Sequence, residues 1–143
     1  MSEGVFKQNF PSRSKNKFEF TFHNKEVIFE IDQLASKSDK SILGRYGNTA
    51  VLTVLMVKEL PKNRVAAFFP LTISVEEKFY AVGRIPAGFT KREGKPSHDA
   101  ITTARLIDRT LRSFFPVEKS QEVQIINYIL AVDLECDPTL VAT

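Results

Sequence analysis

At 143 residues and 43% hydrophobic content, the chain is long enough for one hydrophobic core and gives no reason to expect two full domains. Its single cysteine, Cys136, excludes an internal disulfide and a four-thiolate zinc site, which fits a reducing cytoplasm. The net charge of +3 does not by itself indicate a nucleic-acid partner, because solubility accounts for it equally well. No apolar stretch approaches the roughly 18 residues of a membrane span, so we expect a soluble protein with no membrane partner.

The first residues of the chain are polar and carry several lysines among scattered aromatic residues. They lack the continuous apolar core of a secretory signal. We therefore expect residues 1–16 to form a flexible tail and residues 17–143 to form the folded domain.

Alternating apolar residues predict a first hairpin. Phe18, Phe20 and Phe22 alternate with polar residues, and residues 27–31 repeat the alternation after the turn dipeptide His23-Asn24.

A second hairpin is predicted over residues 41–46 and 49–57, around Gly47-Asn48, a dipeptide that accepts positive φ. Residues 50–57 are apolar on both faces, a pattern typical of a central strand that is covered on both sides.

The next strand is predicted over residues 68–79, and Pro70 places it at a sheet edge or next to a bulge. Ser97 then predicts the N-cap of a helix that runs to about Phe115, since Pro116 cannot continue it. The apolar residues of this helix recur at three- and four-residue steps and predict a face that packs on a sheet. They are Ile101, Ala104, Ile107, Leu111 and Phe114.

Residues 122–133 predict the last strand, and Asp137 before Pro138 predicts the start of another helix. The sequence stops about one turn later, so we expect the domain to be C-terminally truncated. These elements together indicate an α+β fold in which a sheet packs against helices.

Residues 83–94, GRIPAGFTKREG, have the composition of a single-stranded nucleic-acid contact. Lys91 and Arg92 offer charges to phosphates, and Phe89 offers a face on which a base can stack. The alternative is a surface loop whose Phe89 joins the core and whose charges are only solvated.

Three arginines lie on one stripe of the predicted helix. Arg105, Arg109 and Arg112 are spaced i, i+4 and i+7, within an arc of roughly 60°. A solvated face in which Asp108 pairs with Arg105 and Arg112 is one interpretation, but one carboxylate cannot neutralise three guanidiniums. Arginine favours forked contacts with phosphate or carboxylate, so anion contact or pairing between subunits stays open.

Two further groups of residues have more ordinary interpretations. Asp133, Glu135 and Asp137 alternate and could face a divalent cation, but a polar strand end and a helix cap explain them better, because oxygen ligands normally come from several segments. Ser97-His98-Asp99 contains the residue types of a catalytic triad, yet neighbours in sequence cannot converge as a triad must, so we interpret it as a helix start.

Four stretches of the sequence together resemble the first ribonuclease PH-like domain of the bacterial polynucleotide phosphorylase family. They are RYGNTAVLTV, FFPLTISVEEKFYAVGRIPAGFTKREGKPS, ARLIDRTLRSFFP and EVQIINYILAVD. The resemblance covers about residues 18–143 and implies the ribosomal protein S5 domain 2-like fold, a mixed sheet packed on helices.

The resemblance also implies a function. Members are processive 3′-to-5′ exoribonucleases of mRNA degradation that use inorganic phosphate and Mg²⁺, release nucleoside diphosphates from single-stranded RNA, and form a ring-shaped homotrimer. The catalytic residues and the phosphate and metal sites belong to a second ribonuclease PH-like domain, so none is expected in this chain. Expected partners are single-stranded RNA, the remaining domains of the same enzyme and the RNA-degradation machinery.

In that family the loop aligned with residues 89–92 grips RNA at the mouth of a central channel, and the helix arginines lie near the RNA path and the interface between core domains. The resemblance and the surrounding charge together give eight expected RNA-binding residues. They are Phe89, Lys91, Arg92, Arg84, Lys95, Arg105, Arg109 and Arg112.

Two alternatives remain. The chain could be a non-catalytic structural or interaction module whose arginines pair with a partner domain and not with RNA. It could also be an independent small enzyme of the ribonuclease PH type. Against the latter, Asp137-Pro138-Thr139 stands where those enzymes hold phosphate with a Gly-Thr-Arg turn, and an acid there would repel phosphate.

Overall fold

A computed structural model describes residues 16–60, 69–87, 93–115 and 121–143. Six strands, two helices and one 3₁₀ turn follow one another along these ranges. The elements are β1 (Asn16–Phe22), β2 (Lys25–Ile31), β3 (Lys40–Tyr46), β4 (Thr49–Glu59), β5 (Leu71–Glu77), the 3₁₀ turn (Phe79–Val82), α1 (His98–Arg112), β6 (Gln121–Ala131) and α2 (Pro138–Ala142). The predicted tail, residues 1–16, lies outside the described residues except for Asn16, which begins β1.

The strands form one mixed sheet in the order β1-β2-β3-β4-β6-β5. Every neighbouring pair is antiparallel except β5 and β6, which run parallel and are connected through α1. The two predicted hairpins are confirmed, with His23 and Asn24 at φ 47° and 59° and Gly47 at φ 56°. The α+β prediction, a mixed sheet packed on helices, is confirmed as well.

The main core lies between the central strands and α1. Val51, Val75 and Ile129 come from β4, β5 and β6, and they pack with Ala100 and Ile107 of the helix. Ile107 is 1% exposed and Val51 is 1% exposed, so the helix is fixed at the middle of the sheet.

The buried face of α1 differs from the predicted one. Ala100 is buried and was not predicted, whereas Ile101 and Phe114 are 41% and 78% exposed. Ala104, Ile107 and Leu111 complete the packed face. Ile101 lies about 100° around the helix from Ala100, and Phe114 follows the last helical residue, so neither can share that face.

Three predicted boundaries are wrong. The strand predicted over residues 68–79 is limited to Leu71–Glu77, because the chain turns into the 3₁₀ turn at Phe79. Helix α1 ends at Arg112, not at Phe115, and Ser113 is its C-cap. Strand β4 is central, but Met56 and Val57 near its end are each 38% exposed, so its second half is not covered on both sides as predicted.

Helix α2 begins as predicted. Asp137 Oδ1 accepts a hydrogen bond from Thr139 N at 2.7 Å, and Pro138 occupies the first helical position. The helix packs on β4 and β3. Within the ranges that the structure describes, no helix combines the length and the apolar character that crossing a membrane requires.

Candidate nucleic-acid interface

The 3₁₀ turn is the element from which the basic segment, residues 83–94, begins. Gly83 ends the turn at φ 67°, a left-handed conformation that glycine adopts without steric cost. Its N–H donates to Tyr80 O at 3.0 Å, and the N–H of Arg84 donates to Phe79 O at 2.9 Å. Val132 N donates to Ala81 O at 3.1 Å, so the turn is held to the chain immediately after β6.

Glu93, near the other end of the basic segment, returns to the same turn. Its Oε1 accepts a hydrogen bond from Phe79 N at 2.6 Å. Its Oε2 lies 3.8 Å from Lys78 Nζ, which also donates to Glu76 Oε2 at 3.0 Å. The hydrogen bond with Glu76, supported by the charges of Glu76 and Glu93, raises the pKa of Lys78 above the ordinary lysine value. One backbone unit, that of Phe79, therefore binds both Arg84 and Glu93.

The residues predicted to grip RNA lie between these two bonds. Phe89, Lys91 and Arg92 belong to residues 88–92, which are outside the described residues. Their role stays a prediction.

Arg84 and Lys95 flank that stretch, and both are exposed. Among the described residues, neither has an ion pair with a carboxylate. Lys95 lines a cleft of about 600 Å³ between β5, the 3₁₀ turn and the residues that lead into α1.

Helix α1 starts where the basic segment ends. Ser97 is its N-cap, and Ser97 Oγ accepts a hydrogen bond from Ala100 N at 3.0 Å. Asp99 places a negative charge in the first turn, where the helix dipole favours it. The interpretation of Ser97-His98-Asp99 as a helix start, and not a triad, is confirmed.

The arginine stripe divides into two parts. Arg112 donates to both carboxylate oxygens of Asp108, at 2.8 and 3.1 Å, and to Phe69 O at 3.2 Å. Arg105 and Arg109 are exposed and line a groove of about 580 Å³ between α1 and β5. The predicted pairing of Asp108 is therefore found for Arg112, but the described residues show none for Arg105.

The two clefts adjoin each other. Both are lined by Val75, Glu76 and Pro96, so Lys95 lies at one side of a shared wall and Arg105 and Arg109 at the other. The structure thus brings three of the predicted cations to one region of the surface, and places Arg84 on the turn next to it.

The alternating carboxylates after β6 have separate partners. Asp133 Oδ2 accepts from Asn48 at 3.1 Å, Glu135 pairs with Lys25 at 2.9 Å, and Asp137 caps α2. In the described part of the chain, no group of three or more histidine, cysteine, aspartate or glutamate residues could hold a metal ion. The polar strand end and helix cap predicted for these residues are confirmed.

Sequence reasoning missed two partners in this region. The bond of Glu93 to Phe79 spans 14 residues, and the bond of Arg112 to Phe69 spans 43. The signal for the first was the single acid of the segment between its two pairs of flanking charges. The second uses a backbone carbonyl, which no residue pattern indicates.

Comparison with known proteins gives the family. Residues 23–143 match the RNase PH family, described as "3′ exoribonuclease family, domain 1". The polyribonucleotide nucleotidyltransferases of Staphylococcus saprophyticus and Staphylococcus aureus are 43% identical to the chain over 131 residues. These matches cover 92% of this chain and 18% of each relative, so the chain spans less than a fifth of the length of these relatives.

Two solved structures show a partial likeness. One is an archaeal exosome core, with a TM-score of 0.47 and 19% identity over 73% of this chain and 40% of the other. The second is an Archaeoglobus fulgidus exosome with RNA bound to the active site, with a TM-score of 0.49 and 20% identity over 73% and 44%. The assignment rests on the family match and not on these structures: the chain belongs to the 3′ exoribonuclease family as its domain 1, the ribonuclease PH domain.

Proposed function

We propose that this chain is the RNA-gripping, trimer-forming N-terminal domain of a phosphorolytic 3′-to-5′ exoribonuclease. The parent enzyme would degrade single-stranded RNA to nucleoside diphosphates. Family membership and the likeness to polyribonucleotide nucleotidyltransferases support the reaction class.

One observation carries the RNA grip. Arg84, Lys95, Arg105 and Arg109 are exposed around the basic segment, and no described carboxylate pairs with any of them. Side chains of this kind contact phosphates at little cost, because no existing ion pair has to be broken. Phe89, Lys91 and Arg92 are the proposed central contacts, by stacking and by charge.

Arg112 has a different position in this proposal. Its guanidinium already binds Asp108 and Phe69 O, so a phosphate would have to compete with both. We assign Arg112 to the fold first and place the RNA contacts of α1 at Arg105 and Arg109.

The chemistry of the parent enzyme is assigned to a part outside this chain. Mg²⁺ prefers several oxygen ligands, and the described carboxylates after β6 are each taken by another partner. Inorganic phosphate would meet the negative charge of Asp137 where related enzymes hold it with Gly-Thr-Arg. The residues present therefore do not fit either group, and no step of the reaction is placed here.

The assembly and surroundings follow from the same proposal. The domain would form a homotrimer with two further copies, pack against the remaining domains of its enzyme, and act in the cytoplasm with the RNA-degradation machinery.

A binding experiment tests the RNA grip. Fluorescently labelled oligo(A) is titrated with the chain at two salt concentrations, and the same is done for a Lys91→Ala/Arg92→Ala variant. We expect wild-type affinity to fall steeply with salt and the double variant to bind roughly tenfold more weakly at low salt, about 1.4 kcal/mol. The slope of log K against log salt should fall by about 0.7 for each phosphate that the variant no longer neutralises.

A matched control has the same net charge. Arg45 and Lys58 are exposed and lie on β3 and β4, without a described ion pair. Changing both to alanine removes the same two charges from the net +3, leaving +1 as in the test variant. Equal weakening by the two double variants would show a nonspecific charge effect. Absent or salt-insensitive wild-type binding would contradict the proposal and favour the structural module whose arginines pair with a partner domain.

A further inference from the structure

We infer that Glu93 is a positioning residue for RNA binding, acting through its hydrogen bond to the backbone of Phe79. This inference rests on the proposed function. Glu93 would not touch RNA; it would fix the point at which the chain that carries Phe89, Lys91 and Arg92 returns to the domain.

The bonds of Phe79 give the geometry. Its carbonyl oxygen accepts from Arg84 N at 2.9 Å, and its N–H donates to Glu93 Oε1 at 2.6 Å. Both ends of the stretch from Arg84 to Glu93 are thus bound to one residue. Holding the ends of a chain segment together lowers the conformational entropy that the segment loses when it is ordered on a ligand.

The point of attachment is itself held by the sheet. Lys78 follows directly after β5, and the 3₁₀ turn is bound through Ala81 O to Val132 N beyond β6. A bond from Glu93 to Phe79 therefore positions the segment relative to two strands, and not merely relative to a neighbouring loop.

The charge of Glu93 gives the inference its discriminating test. Glu93 is the only acid among residues 83–95, which carry Arg84, Lys91, Arg92 and Lys95. A carboxylate in this place weakens the attraction for a polyanion, so its removal alone should tighten RNA binding. A positioning role predicts the opposite sign for any variant that loses the bond to Phe79.

The experiment compares Glu93→Ala with Glu93→Gln in the full 143-residue chain, by titration of labelled oligo(A) at two salt concentrations. Glutamine keeps an acceptor oxygen for Phe79 N and loses the charge, whereas alanine loses both. We expect Glu93→Ala to bind about three- to tenfold more weakly with a smaller salt slope, because the displaced segment neutralises fewer phosphates. Glu93→Gln should bind at least as tightly as wild type and keep its slope.

Glu59→Ala supplies the effect of removing a charge alone. Glu59 is exposed at the end of β4, opposite Gln121 and so at the far end of β6 from Val132, and it has no ion pair among the described residues. Amide hydrogen exchange at Phe79 gives a readout independent of RNA, since it should be faster in Glu93→Ala than in Glu93→Gln.

Each result decides the inference. If both Glu93 variants bind more tightly, or both change no more than Glu59→Ala does, Glu93 acts only as a charge and the inference is wrong. If both weaken equally, the ion pair with Lys78 and not the bond to Phe79 is what matters, which also overturns it. If wild type binds no RNA, the proposed function fails and this inference with it. Should Glu93→Ala not fold, Glu93→Asp keeps the charge but withdraws the oxygen, and unchanged RNA binding by that variant would overturn the inference.

Discussion

Three arginines of one helical stripe have different surroundings at the scale of single residues. Arg112 reaches Asp108 on its own helix and a carbonyl 43 residues earlier in the chain, while Arg105 and Arg109 face an open groove. The difference follows from position along α1, because only the last turn lies close to Phe69, at the entry to β5. Identical residues at helical spacing can therefore divide between holding the fold and remaining open to a ligand.

Gly44 shows how closely the helix side of the sheet is packed. A Cβ atom at this position of β3 would lie 2.7 Å from Val141 Cγ1 of α2 and 3.1 Å from Phe29 Cε1 of β2. Gly44→Ala should therefore lower the free energy of unfolding by about 1–3 kcal/mol, because a well-packed contact has to open. Urea unfolding measures it.

Gly94→Ala is the matched control for Gly44→Ala. No described atom lies within 4 Å of the Cβ that this substitution adds, and the residue does not require positive φ. Its free energy of unfolding should change by no more than about 1 kcal/mol, in the stabilising direction. If both variants unfold like wild type, α2 does not pack on β3 as the structure has it.

At the scale of elements, the pairing of Lys78 makes the stability of the 3₁₀ turn depend on pH. The pKa of Lys78 is raised in the folded chain, chiefly by the hydrogen bond with Glu76. Its contribution is then fully present below the ordinary lysine pKa of about 10.4 and is lost as the pH rises through the higher folded value. We expect Lys78→Met to be less stable than wild type by up to about 1 kcal/mol at pH 8, with the difference shrinking above about pH 10.4.

Urea unfolding at pH 8 and at several values above about pH 10 checks this. Lys58→Met is the control, because Lys58 is exposed on β4 without a described ion pair and should show no such closing difference. A stability difference for Lys78→Met that stays constant across the range would show that its charge plays no part.

The elements that the sequence predicts correctly are those with a strong local pattern. Alternation and turn residues locate β1 to β4 and β6, and Ser97 and Asp137 mark the two helix starts. The 3₁₀ turn was missed because FYAV continues the apolar composition of β5, while the bond that holds it comes from Glu93, 14 residues later. Local patterns carry no information on such contacts.

The candidate site divides in the same way. The cations were identifiable from composition, because a cluster of positive charge is visible along the chain. Their unequal pairing was not, since it depends on Asp108, Phe69 and the groove formed by α1 and β5. The positions of Phe89, Lys91 and Arg92 lie outside the described residues, so their roles remain predictions.

At the scale of the whole molecule, the charges of the two ends of the domain are managed differently. After β6, each acidic side chain has a described partner: Asn48 for Asp133, Lys25 for Glu135 and the first turn of α2 for Asp137. Around the basic segment, Arg84, Lys95, Arg105 and Arg109 have no described carboxylate partner. The domain thus presents free positive charge and little free negative charge, which suits binding an RNA strand and not holding Mg²⁺.

This arrangement predicts that the chain alone does not carry out phosphorolysis. Asp137 is bound to Thr139 N at 2.7 Å and places negative charge where inorganic phosphate would have to bind. With poly(A), phosphate and Mg²⁺, the purified chain should therefore release no ADP, measured by chromatography of the reaction products. The polyribonucleotide nucleotidyltransferase of Staphylococcus aureus serves as the positive control under the same conditions. Phosphate-dependent release of ADP by the 143-residue chain would mean that the catalytic groups are present in it, and the separation of RNA grip from chemistry would have to be abandoned.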